Sequence, residues 1–283
     1  MSTHRPPHFG RHTSLAFGLP MLALLATPIL GLVLGTSASD VAAGFRHPLF
    51  ADALALSAQT TVGSLLIIVV LGTPLAWWIA VGPNRQTRWV ELIVDVPIVV
   101  PPAVIGIGLL QTFGRSGVVG SWLSHWDLQI PFSTSAVVLA QVVVAAPFFI
   151  QSAAAAFRRV DPEMVIVART LGHTGTSAFL CVTLPVALPG LLGGAALSWA
   201  RALGEFGATL LFAGNFPGTT QTMPLAIYRA LEADIRTAVA LSLVLAITGV
   251  VLLFLLRWLP ALWLDKPQEV QSSRKAFNPE VRP

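Results

Sequence analysis

An all-α, polytopic membrane fold with six transmembrane helices is predicted by three observations. Apolar residues make up 54% of the chain and charged residues 11%, a balance that water-soluble domains of this size rarely show. The apolar residues gather in runs near the roughly 20 residues needed to cross a hydrocarbon core. The basic residues are dense in some connections and sparse in the next, as when successive loops lie on opposite sides of a bilayer. Helices follow, because backbone in lipid must satisfy its own hydrogen bonds.

Taken in order, the spans fall at 14–36, 58–82, 90–113, 134–157, 184–213 and 236–259. The first precedes Thr36-Ser37-Ala38, a small-residue run that resembles a signal cleavage site. Its apolar stretch Leu15 to Leu34 is longer than a usual signal core and carries Pro20 and Pro28, so a retained span is expected. Pro74, Pro147, Pro185 and Pro189 punctuate the later spans, each removing a backbone donor. Pro97, Pro101 and Pro102 crowd the third after Asp95, which predicts a broken segment facing protein or water. Gly106, Gly108, Gly193 and Gly194 are expected to permit close helix approach. The fifth run is too long for one straight crossing. A helix to about Ala202 is expected, then a turn or re-entrant piece at Gly204 to Gly214. Residues 1–13 and 265–283 read as polar tails around one transmembrane domain, 14–264. The connections Ser37 to Ser57, Gly114 to Ser133 and Asn215 to Ile235 read as outer loops, too poor in apolar residues to form a domain.

Arg5, Arg11, Arg85, Arg88, Arg158, Arg159, Arg169, Arg257, Lys266, Arg274, Lys275 and Arg282 share one side in this arrangement. Only Arg46, Arg115, Arg229 and Arg236 share the other. The positive-inside rule then places both termini in the cytoplasm. The positive net charge of +4 reflects this topology, since no basic stretch is interleaved with aromatics as a nucleic-acid platform requires. Cys181 stands alone, so no disulfide forms within the chain, and it is expected to be a small buried hydrophobe.

Several chemistries are disfavoured. Gly114-Arg115-Ser116-Gly117 matches the short pattern of rhomboid serine proteases, but the six histidines (4, 8, 12, 47, 125 and 173) lie in tails or connections, none in a span. His-Glu-x-x-His is absent and one cysteine supports no cysteine-based zinc site, so no metal ligands are assigned. A P-loop needs Gly-Lys-Ser or Gly-Lys-Thr, whereas the only lysines follow Asp265 and Arg274. An ion-coupled secondary transporter is expected to show mid-depth acids and related halves, and neither is evident.

The polar loop 158–185 carries the most information. Asp161 suits a helix N-cap, Pro162 the first helical position, and Glu163 the positive helix end. Met164, Val167, Ala168 and Leu171 then recur at i, i+3, i+4 and i+7, one apolar stripe, before Gly172 ends the helix. Such a stripe can pack on the chain's own helices, meet the lipid interface or insert into a partner's groove.

Gly172, followed ten positions later by the aliphatic Val182 and then by Leu184-Pro185, resembles the EAA coupling loop of ABC importer permeases. The Glu-Ala-Ala triplet would fall on Ile166, Val167 and Ala168, so only its last alanine is kept. Two further segments are similar to oxyanion permeases. Asp95-Val96-Pro97 with Pro101-Pro102 looks like the third span of molybdate and sulfate permeases. Arg201 to Thr209, Phe212 to Asn215, Pro217-Gly218 and Thr220 to Tyr228 are very similar to molybdate permeases. The resemblance covers about 55–260. It implies an ABC importer permease fold, a homodimer in the bacterial inner membrane, two copies of a separate ATPase that bind ATP and magnesium, and a periplasmic molybdate-binding protein. No cofactor is implied for this chain. The resemblance also implies that Asp161, Glu163, Met164, Val167, Ala168, Leu171, Gly172, Leu184 and Pro185 couple to the ATPase.

Arg201 and Glu205 lie four apart within a span, so they can pair with each other. Counted from Pro185, Arg201 lies ~24 Å along the helix, near the outer interface. With Asp95, Pro101, Pro102 and Gly204 they are candidates for the translocation pathway or its gate. Glu91 and Asp95, one turn apart, are expected to be capping or pairing groups.

Overall fold

The computed structural model describes residues 11–82 and 84–264. Of the expected tails 1–13 and 265–283, residues 1–10 and 265–283, with Arg5, Lys266, Arg274, Lys275 and Arg282, lie outside the described residues, and residues 11–13 open the first helix. Among the described residues every regular element is helical, as the self-satisfied backbone of a membrane-spanning chain requires.

α1 (Arg11–Gly35) is an apolar helix whose described side chains are almost wholly exposed, in keeping with a lipid-facing span. α2 (Ala38–Arg46) and α3 (Pro48–Val81) occupy the region expected to be an outer loop. The caps of both helices are local and readable. The Ser37 hydroxyl accepts from Asp40 N–H, and the Asp40 carboxylate accepts from Ser37 N–H in return. The Ser37 hydroxyl also donates to that carboxylate and, with the backbone bond, holds it below the usual carboxylate range. His47 Nδ1 accepts from Leu49 N–H, with Pro48 at the first helical position. Phe50, Ala53 and Leu56 at the start of α3 are buried, the first two with Met223, Ala226 and Leu241.

α4 (Arg85–Val99) and α5 (Pro102–Phe113) form the broken span, bent by 112° where Pro101 and Pro102 remove consecutive backbone donors. The short α6 (Val118–Ser124) follows. α7 (Thr134–Arg158) is the centre of the fold. Its Ala145, Phe149, Ala153 and Phe157 pack into one apolar cluster with Ile68, Ala76 and Ile79 of α3 and with Ala187 and Leu191. α8 (Pro162–Thr170) is the short loop helix. α9 (Gly175–Ala178), a π-helical turn at Phe179–Thr183 and α10 (Leu184–Leu203) run on as one helical piece. In the π turn Leu184 N–H donates to the Phe179 carbonyl, five residues back. The widened turn lies directly before Pro185, whose ring would crowd the carbonyl four residues back in a regular helix.

α11 (Gly207–Ala213), α12 (Met223–Ala233) and α13 (Ile235–Leu264) complete the chain. α10 and α7 are bound by small residues and hydroxyls. Ser198 Oγ donates to the Ala145 carbonyl at 2.8 Å and Ser152 Oγ to the Gly190 carbonyl at 3.1 Å. Of the four glycines expected to permit close approach, Gly106 and Gly194 do so. A Cβ on Gly194 would stand 2.7 Å from that of Ser152, while Gly108 and Gly193 face open space.

By length and composition four helical stretches can cross a membrane, within α1, α3, α7 and Gly175–Leu203, and the bent α4–α5 pair makes a fifth. α13, the sixth expected crossing, is apolar over Ile235–Val251 among its described side chains. Cys181 corrects the sequence expectation. It lies exposed on the π turn, because the inserted residue turns Val182 and Thr183, not Cys181, toward the packed side.

Candidate functional site

α8 is closed at both ends by its own residues. The Asp161 carboxylate accepts from Glu163 N–H at 2.9 Å, and Pro162 takes the first helical position. At the other end Gly172 adopts φ +95°, its N–H donates to the Arg169 carbonyl, and His173 N–H donates to the Ala168 carbonyl. That pair of bonds is the Schellman arrangement, which a Cβ at Gly172 would strain.

The stripe expected on α8 is only partly buried. Ala168 is 7% exposed and, with the half-buried Val165, seats the helix. Met164, Val167 and Leu171 are 45%, 56% and 78% exposed, and Ile166 is exposed beside them. Neither core packing nor a side-chain hydrogen bond accounts for these apolar residues. Met164, Val167 and Leu171 border a concavity of about 500 Å³ that also takes in Asp161, Glu163, His173 and Val182. Leu184 and Pro185 are not part of this surface. Leu184 packs toward the α3–α7–α10 core, and Pro185 sits exposed at the start of α10.

The second site gathers around the α10–α11 turn. α10 stops at Gly204, and α11 begins three residues later without help from its own N-cap residue, Phe206. Glu205 supplies both missing interactions. One carboxylate oxygen accepts from Ala208 N–H at 2.8 Å, and the other meets Arg201 Nη1 at 2.7 Å. Its side chain is 1% exposed, so the charge is compensated by a guanidinium and a helix N-terminus together. The Pro-Pro break meets this turn. A Cβ on Gly207 would stand 3.3 Å from Pro102 Cβ, and one on Gly106 would stand 2.8 Å from the Ala208 carbonyl oxygen. α5 and α11 therefore cross at backbone contact, and Pro102 is brought beside the Gly204–Gly207 turn.

Asp95 is held elsewhere. It accepts a hydrogen bond from Gln151 Nε2 of α7, and one turn away Glu91 pairs with Arg158. These four line a pocket of about 290 Å³ between α4 and α7. Gln151 and Arg158 were missed in the sequence reading. Their signal was a polar and a basic residue seven apart, two turns along one face of α7, opposite Glu91 and Asp95 one turn apart on α4. Among the described residues no three His, Cys, Asp or Glu side chains gather as metal ligands.

The segment Asn215–Thr222 folds inward. Gln221 Nε2 donates to Asn215 Oδ1, Phe216 N–H donates to Thr220 Oγ1, and Ser57 Oγ accepts from Met223 N–H at 2.7 Å. Thr220, Gln221 and Thr222 are buried, so this part of the expected outer loop is built as core.

Residues 72–263 match the binding-protein-dependent transport system inner membrane component family. The chain belongs to that family. The molybdenum transport system permease protein ModB of Mycobacterium tuberculosis is 40% identical over 234 residues, covering 82% of this chain and 89% of its own length. The molybdate/tungstate transport system permease protein WtpB of Thermococcus kodakarensis is 34% identical over 247 residues, 86% of this chain and 93% of its own. A crystal structure of a bacterial ABC transporter that imports the acidic polysaccharide alginate superposes with a TM-score of 0.70 at 19% identity. It covers 90% of this chain and 96% of that one, which shows the shared fold. A family member with these apolar helices is a multi-pass inner membrane transport component and not itself an enzyme.

Proposed function

We propose that this chain is the membrane-spanning subunit of an ATP-driven importer for molybdate, with tungstate, a tetrahedral dianion of nearly equal size, as the second cargo. The observation that carries the reading is its 40% identity to a molybdenum permease over most of both chains. The open apolar side of α8 supports the mechanical half of it, since a surface of Met164, Val167 and Leu171 is one that a partner covers. The partner is a dimer of a separate ATPase that holds ATP and magnesium. Two copies of this chain form the channel, both termini face the cytoplasm, and a periplasmic molybdate-binding protein delivers the anion.

Closure of the ATPase dimer pushes on α8 of each copy. α8 is tied to α7 by the short turn Arg159–Asp161 and packs against the π turn that leads into α10, so the stroke passes through these contacts toward the α5–α11 crossing. Alternating access then requires two discrete packings of these helices, each favoured by a different partner. Asp95, Pro101, Pro102, Arg201, Gly204 and Glu205 are assigned to the pathway or gate, with Arg201, half-buried beside Glu205, as the only cation among them.

The test is uptake of labelled molybdate, tungstate and sulfate by cells lacking this chain, with and without its restoration. Restored molybdate uptake is expected, and restoration of sulfate uptake alone would reassign the cargo. Arg201→Ala is expected to lower molybdate uptake. Normal uptake with normal ATP turnover would remove Arg201 from the pathway.

A further inference from the structure

α8 has two open flanks of opposite charge. One is the concavity with Asp161 and Glu163 described above. The other is a cleft of about 590 Å³ between α8 and the ends of α3 and α7. That volume lies within the ~300–1,000 Å³ of small-molecule sites. Its walls are Trp77, Phe157, Val165 and Ile166, and its charged lining is Arg158 and Arg169. Trp77 packs against Phe157 and Phe179 with ring centroids 5.3 and 5.0 Å away, which makes the wall a continuous aromatic surface. Arg158 is engaged by Glu91, whereas Arg169 is exposed and has no carboxylate partner among the described residues.

A further group singles out this cleft. Thr183 lines it, is 1% exposed, and its hydroxyl has no hydrogen-bond partner. A buried hydroxyl left without a partner carries a cost that a ligand oxygen would remove. The cleft also lies where two long apolar helices end, the level at which aromatic rings and lipid headgroups meet.

We propose that this cleft is a binding site for an anionic phospholipid, which wedges between the coupling helix and α3. The phosphate sits at Arg169, the first part of an acyl chain lies along Trp77 and Phe157, and Thr183 donates to an ester or glycerol oxygen. The opposite flank, with two acids, repels the same headgroup. A lipid seated there braces α8 against the helix bundle, so lipid composition tunes how firmly the ATPase stroke is transmitted. The site itself requires only that the chain spans a membrane and is independent of the cargo assigned above.

The test uses the full chain in detergent, titrated with phosphatidylglycerol, phosphatidylcholine or inorganic phosphate. Bound lipid is read by native mass spectrometry and thermal stability by the unfolding midpoint. Phosphatidylglycerol is expected to bind and raise the midpoint saturably. Arg169→Gln is expected to need at least about tenfold more of it, the loss that one charge-assisted contact implies. Ile166→Trp fills the cleft without changing charge and is expected to abolish the effect, while Arg115→Gln leaves it intact. Equal stabilisation by phosphatidylcholine or by inorganic phosphate overturns the proposal, as does an unchanged titration in both cleft variants. Release of the bound lipid when the ATPase subunit is added would assign the cleft to that protein and overturn it as well.

Discussion

α8 and α10 both end at a glycine, Gly172 and Gly204, yet the two ends are held in opposite ways. Gly172 takes the left-handed conformation, and each bond that closes α8 comes from within residues 161–173. Gly204 stays right-handed, and the chain there relies on a buried carboxylate reaching forward to α11 and back to Arg201. The first end leaves its side chains free for something outside the chain. The second has its charges fully engaged inside. A surface that must dock and undock is best carried by a segment whose own folding needs no neighbour. A junction between packed helices has to be satisfied internally, because water is absent.

The contrast breaks most visibly at Glu205. Glu205→Ala leaves Arg201 without its partner and Ala208 N–H without an acceptor. Removal of one member of a buried pair costs about 3–5 kcal/mol, here toward the lower end because Arg201 is 27% exposed. Thermal unfolding of the purified chain measures this, and the Arg201→Ala, Glu205→Ala double variant should recover part of the loss. An undiminished midpoint in Glu205→Ala would show that the pair does not hold the turn. Gly106→Val comes next. Its side chain would enter the α5–α11 crossing at the Ala208 carbonyl, so overpacking of about 1–3 kcal/mol and reduced uptake are expected.

On the α8 side the effects on stability shrink. Asp161→Ala removes a cap worth about 1 kcal/mol, and local hydrogen exchange at Glu163 and Met164 should rise while the global midpoint barely moves. Replacing Met164, Val167 and Leu171 with serine should change stability by no more than about 0.5 kcal/mol at any one position, because all three are exposed. The triple variant should lose co-purification with the ATPase. Retained co-purification would mean that this flank is not the docking face.

The helical class and the region of most spans were legible because crossing a bilayer imposes a length and an apolar composition that any reader of the chain can measure. α7 matches its expected bounds within one residue, and Pro101-Pro102 breaks the third span as the missing donors require. α8 was legible for a different reason. Capping is local chemistry, so Asp161, Pro162 and Gly172 state their roles in order. α2 and α12 were not foreseen, since their polar faces lower the mean hydropathy, and the first turns of α3, though apolar, extend a run of 34 residues beyond the ~20 that one crossing needs, their burial coming from α12 and α13.

What the sequence determined by itself is therefore what lipid and local hydrogen bonding dictate: an all-helical chain, its main crossings, the broken span and the free-standing loop helix. Only the tertiary structure decided which partners the polar groups take, since packing distant segments together sets those choices. It gave Asp95 to Gln151 and Glu91 to Arg158, turned the Thr220–Thr222 segment inward, and left the apolar side of α8 uncovered.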